Sequence, residues 1–123
     1  MLTKTRLLVF LTIAMLSLSA SGQVKMNAME MAEYQNNLMK SELHLDTAQF
    51  EKVEELNLRY SKKTAELLNK EGSMFGKIGD MKKIKKAKYA ELEQILTKEQ
   101  MEVYEDEVEP QIRKTLRKKM SEE

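Results

Sequence analysis

The chain has 123 residues, a formal net charge of +1, one histidine and no cysteine, which suits a single small domain. The missing cysteine excludes disulfides, thiolate metal sites, cysteine nucleophiles and a lipid-anchored cysteine. A lone histidine argues against a Ser-His-Asp triad or a multi-histidine metal site within one chain.

Residues 1–22 hold Lys4 and Arg6 and no acid, which leaves 19 basic against 20 acidic residues in the remainder. That balance argues against a dedicated nucleic-acid binder. Four glycines, one proline, no tryptophan and abundant Lys, Glu, Leu and Met predict an all-α protein. So short a chain cannot bury a large core, so either a thin helical layer or a dimer that completes it is expected.

The first segment reads as a secretory signal peptide. Lys4 and Arg6 form its basic end, Leu7 to Leu18 its apolar run, and Ala20-Ser21-Gly22 offers small residues for cleavage before Gln23. The run is shorter than the roughly 20 residues of a spanning helix; the alternative is an uncleaved N-terminal anchor. The domain then covers 23–123.

Residues 26–43 predict a first helix with Met26, Met29, Tyr34 and Leu38 as apolar contacts and Met31 as a further one. A second helix spans 47–71, where Phe50, Val53, Leu56, Tyr60, Leu67 and Leu68 share one side at 100° per residue. Leu58 falls off that stripe and is expected on the surface. Residues 72–80 hold three of the four glycines and predict a flexible turn. Within it, Met74 and Phe75 either tuck under the loop as a minor cluster or offer a soft contact to a partner.

The third predicted helix, 81–96, gathers Ile78, Met81, Ile84, Tyr89, Leu92, Ile95 and Leu96 on one arc, but Lys85 and Lys88 lie inside that arc. Buried unpaired lysines are costly. This face is therefore read as a mixed apolar and basic surface, with lysine stems laid over apolar groups. A fourth helix, 98–119, runs from an acidic start to a basic end, the favourable polarity for the helix dipole. Pro110 lies inside it and predicts a kink or break near 107–110.

Two stretches join these helices. Thr97 and Gln100 stand in capping-box relation, a hydroxyl at the cap and an amide three residues on. Asp46 and Gln49 repeat the arrangement with a carboxylate. Leu45 and Leu96 precede the two caps, so both stretches have the form Leu-(Thr/Asp)-x-x-Gln.

With a secretory leader, no cysteine and four helices, these paired hinges give a chain that resembles the Spy/CpxP family of periplasmic stress proteins. The resemblance rests on Leu45, Asp46, Gln49, Leu96, Thr97 and Gln100 and extends over about Leu43 to Arg117. Asp46 departs from the usual Thr but keeps the cap chemistry, and Pro110 is unusual. The resemblance implies an elongated all-α hairpin that pairs into a thin, curved antiparallel homodimer. It also implies a periplasmic location and ATP-independent chaperoning on the concave face. Other members inhibit an envelope-stress sensor kinase or bind metal. In this reading the motif residues shape the scaffold and perform no chemistry.

The residues themselves support a binding protein for unfolded or misfolded proteins. Lys82, Lys83, Lys85, Lys86 and Lys88 can attract acidic regions at long range. Met74, Phe75, Met81 and Ile84 can then hold apolar segments, and Met adapts to varied shapes. The plainer reading is a solvated lysine face over core-filling methionines. A regulator of a sensor-kinase periplasmic domain would use the same surface for one partner. A metal-responsive role would fall on His44, between Glu42 and Asp46, although a lone His beside a cap is more often structural. No enzymatic signature is present: no Glu-x-x-His pair, phosphate loop or nucleophile motif occurs. No cofactor is expected, and no stable membrane insertion after cleavage.

Overall fold

The computed structural model describes residues 26–121, so the predicted signal peptide lies outside the described residues. All described secondary structure is helical: α1 (Ala28–Leu43), α2 (Thr47–Asn69), α3 (Met74–Ile95) and a fourth rod. The rod comprises α4 (Lys98–Val103), a π-helical turn (Tyr104–Val108) and α5 (Glu109–Ser121). None of these helices is long and apolar enough to cross a membrane.

α1 starts where the Asn27 side chain accepts from the backbone N–H groups of Met29 and Glu30, satisfying two donors that have no partner in the first turn. It stops at His44, which adopts a left-handed φ of 51°. The face α1 buries is an i, i+4 seam of Met31, Gln35, Met39 and Leu43, with Ala32 beside it. The expected Met29 and Tyr34 are 62% and 37% exposed instead. The seam accepts a glutamine because the Gln35 amide oxygen has a buried donor, described below.

α2 buries Val53, Leu56 and Tyr60 as its stripe predicts, and Asn57 and Ser61 with them. Leu58, expected on the surface, is half-buried. The helix ends at Asn69, two residues short of expectation. There Asn69 holds Met26 by two bonds, Met26 N to Oδ1 at 3.0 Å and Nδ2 to the Met26 carbonyl at 3.1 Å. The beginning of α1 is thus tied to the end of α2.

The predicted 72–80 turn contracts to four residues. Gly72 takes a positive φ of 117°, a conformation that costs glycine little. Ser73 then caps a new helix, its Oγ accepting from Gly76 N. Met74 to Asp80 is the first part of α3, so a good cap outweighs two helix-weakening glycines. Lys77 reaches back from that turn. Its ammonium donates to the carbonyls of Leu68, at 3.3 Å, and Lys70, which supplies positive charge to the end of α2 where it is favourable.

The rod is not broken at Pro110. The peptide N–H of Glu109 bonds to the Tyr104 carbonyl, five residues back. One turn of i→i−5 bonding immediately precedes the proline and carries the chain through without interruption. The core is built from Met39 and Leu43 of α1, Val53, Leu56 and Tyr60 of α2, Leu92 and Leu96 of α3, and Met101, Tyr104 and Val108 of the rod. Tyr104 packs edge-on to Tyr89 with ring centroids 5.5 Å apart, a favoured aromatic geometry. This core sits toward the two hinges, and α5 buries no residue fully.

Candidate functional site

Both capping boxes form as their spacing predicts. Asp46 Oδ1 accepts from Gln49 N at 2.7 Å and Gln49 Oε1 accepts from Asp46 N at 3.2 Å. Thr97 and Gln100 repeat the pair at 3.2 and 3.0 Å. The structure adds what spacing alone does not reveal, that the two hinges touch. Gln49 Nε2 donates to the Ile95 carbonyl at the end of α3, and Gln100 Nε2 donates to the Leu43 carbonyl at the end of α1. The two side-chain amides also bond each other at 2.7 and 3.3 Å. Each oxygen accepts twice and each NH2 donates twice, so both amides have their full complement of hydrogen bonds. Leu45 and Leu96 pack beneath this clasp, against and within the core.

The molecule differs at its other end. A groove of about 410 Å3 opens between the first half of α1, the second half of α2, the first half of α3 and α5. Its walls are Met31 and Tyr34 of α1, Tyr60 and Thr64 of α2, Ile78, Met81 and Ile84 of α3, and Ile112 and Leu116 of α5. The volume falls within the roughly 300–1,000 Å3 of small-molecule sites. α5 is held to α1 by thin polar ties, Thr115 Oγ1 to Tyr34 Oη at 3.0 Å and Lys119 Nζ to Glu30 at 3.3 Å. The groove arises because α5 presents apolar residues without packing them closely on α3.

Charge is unevenly placed around this groove. Lys82, Lys85, Lys88, Arg113 and Lys119 oppose only Glu30 and Glu109. Glu109 is shared by Lys85 at 3.1 Å and Arg113 at 3.3 Å, and the Lys85 ammonium lies 5.6 Å from the Tyr89 ring centre. Burial, reinforced by Glu109, raises the Tyr89 phenol to about 12. Lys88 is the deepest cation. Its side chain is buried, its Nζ donates to Gln35 Oε1 at 2.7 Å, and it stands 5.9 Å from the Tyr104 ring centre. Removal from water lowers Lys88 from 10.5 to about 8, with Glu109 acting in the opposite direction.

The predicted surface therefore divides. Lys82 and Lys85 are exposed and Ile84 and Met81 half-buried along the groove, whereas Lys88 is floor and not surface. Its proximity to an apolar arc was read as evidence of a wet face. The face closes over it because Gln35 supplies an acceptor and Tyr104 a ring. Met74 and Phe75 do not tuck under a loop; they are 44% and 85% exposed on the first turn of α3.

Sequence reasoning passed over Gln35, Asn57 and Ser61. Asn57 Nδ2 donates to Asn36 Oδ1 at 2.8 Å, but its own Oδ1 and the Ser61 Oγ are buried without a partner. Their signal was present: both follow the Val53, Leu56, Tyr60 stripe by one residue, so polar groups stand on an inward face. On the outside, Arg59 grips Glu91 through two bonds of 2.8 and 2.7 Å, and Tyr60 Oη donates to the same carboxylate. These bonds hold Glu91 below the usual carboxylate range, Tyr60 contributing most and Arg59 next.

His44 is exposed at the end of α1, and among the described residues no group of three or more metal-ligating side chains gathers. Compared with protein-family models, curated proteins and solved structures, the chain matches none.

Proposed function

We propose that the protein is a non-enzymatic binding protein that holds apolar segments of non-native proteins at its open end, without ATP. One observation carries this reading. Among the described residues the five exposed large apolar side chains, Met29, Tyr34, Met74, Phe75 and Ile78, all lie in the half of the molecule where α1 begins, α2 ends and α3 begins. That half also holds the groove and the excess of basic residues. Exposed large apolar side chains gathered in one half of a molecule suit a contact surface. Flexible Met and Lys side chains suit weak, broad recognition.

The two Leu-(Thr/Asp)-x-x-Gln boxes and the secretory leader support placing the chain beside the Spy/CpxP proteins, in the periplasm. On that reading the helices form an elongated hairpin and two copies pair antiparallel, with the open ends contributing to one concave surface.

Light scattering from an aggregating, chemically unfolded client tests the reading directly. The secreted protein is expected to suppress scattering at equimolar dimer, and Phe75→Ser combined with Lys82→Glu to suppress it far less. No suppression by the unaltered protein would defeat the proposal. Pull-down of one stoichiometric envelope partner, with no effect on scattering, would favour a regulator that uses the same surface.

A further inference from the structure

The geometry points to a second role for the groove, as a binding site for one single-chain anionic amphiphile, a fatty-acid-type carboxylate whose head group meets Lys88. This assignment does not depend on the chaperone reading, since it concerns a small ligand inside the groove and not a protein at its mouth.

Three features carry it. First, the walls are apolar and close to a volume that an acyl chain can fill. Secondly, Lys88 Nζ is buried at the floor and uses one of its three donors, on Gln35; among the described residues no carboxylate lies within 4.0 Å of it. Glu109, the acid nearest in influence, is already engaged by Lys85 and Arg113. A buried ammonium bonded only to a neutral amide is poorly compensated, and a carboxylate supplied from outside completes it. Thirdly, Ser61 lines the same groove and its Oγ is buried with no hydrogen-bond partner. Its hydroxyl is a donor without an acceptor on that side of the groove.

The remaining charges agree. Five basic side chains stand around the groove against two acids, so an anion is drawn in and a cation is not. A lipid with no anionic group would leave Lys88 as it is. A carboxylate with an apolar tail satisfies floor and walls together.

The test uses cis-parinaric acid, whose fluorescence rises in an apolar site, titrated into the protein purified as the cell accumulates it. Expected are saturable uptake of one molecule per chain, displacement by palmitate, and displacement by methyl palmitate at least about tenfold weaker. Lys88→Met is expected to weaken uptake by about tenfold or more, whereas Lys83→Met, outside the groove, leaves it unchanged. Met81→Glu places a repelling carboxylate on the wall and is expected to abolish uptake without touching Lys88. Circular dichroism confirms that each variant is folded. Uptake that does not saturate, that is equal for the acid and its ester, or that survives Lys88→Met would overturn the assignment. So would native mass spectrometry showing the groove closed in a dimer that dissociates on Met81→Glu and excludes palmitate.

Discussion

The two ends of this small bundle both cap their helices but differ in how fully their buried side-chain polar groups are paired. At the hinge end every donor and acceptor of two glutamine amides is used, and of the leucines beside them Leu96 lies in the core and Leu45 packs against it. At the open end the helix ends are capped or tied too, by Asn27, Asn69, Ser73 and Lys77, but large apolar side chains face outward and a buried lysine and serine lack full partners. Stability is concentrated where the motif is, and unsatisfied chemistry where it is not. A residue's place along the helices therefore says more about its role than its residue type does.

Breaking each end in turn should expose this difference. The largest loss is expected from Leu92→Ala, since Leu92 is fully buried at the core; about 3–4 kcal/mol should disappear from the urea-unfolding free energy. Leu116→Ala, on the half-buried wall of α5, is expected to cost under about 1 kcal/mol in the same measurement. Similar losses from the two would show that the ends are equally packed.

Gln49→Ala and Gln100→Ala come next. Each removes the acceptor for a cap N–H and the donor for a helix-end carbonyl, at about 2 kcal/mol apiece. Because each amide is the other's partner, the double variant should cost clearly less than the two single losses added together. Additive losses would mean that the amide-to-amide bonds contribute nothing.

Lys88→Met should act in the other direction. The folded-state value near 8 lies below the unfolded 10.5, so between those values the unfolded chain binds more protons and stability rises with pH. Below pH 8 the full cost of burying the ammonium is present. Removing the charge should therefore stabilise the protein by about 1–2 kcal/mol at pH 7, after allowance for the acceptor lost by Gln35. The gain should shrink toward pH 10. Thermal unfolding across pH 7–10 checks this, and a pH-independent difference would count against it.

Gly79→Ala is the smallest and simplest change. A Cβ at that position meets nothing within 4 Å, and the residue is helical. The variant should gain about 0.5–1 kcal/mol and leave client suppression unaltered. A loss would show that the start of α3 needs its glycine for contacts made only with a partner.

Much of this layout was legible in the sequence. The helices expected at 26–43, 47–71 and 98–119 from apolar spacing and cap residues form at 28–43, 47–69 and 98–121, and both boxes form at their expected residues. The start of α3 was misplaced because three glycines were weighed without Ser73, whose cap decides the matter. The kink or break expected near Pro110 takes the form of a π turn at Tyr104–Val108, which has no signature in residue spacing. Of the apolar contacts expected in α1, Met31 and Leu38 face inward and Met29 and Tyr34 do not, because the seam runs through Gln35, which does not look apolar. The groove was invisible for another reason. It depends on how far α5 stands from α3, and no single helix's periodicity encodes a distance between helices. Lys88 was noticed at once, yet its burial depends on Gln35, 53 residues away.

The clasp also has a meaning in time. Its two amides are separated by 51 residues, whereas the α1–α2 and α3–rod connections each span a few. Each neighbouring helix pair can form locally and early, but the amide bridge can close only when the two pairs have docked. The backbone N–H groups of Asp46 and Thr97 bond to those same glutamine oxygens. Those bonds are local to each hinge, so exchange at Asp46 and Thr97 should report hinge formation, whereas exchange of the Gln49 and Gln100 side-chain NH2 groups, which donate across the clasp, should report the docking step.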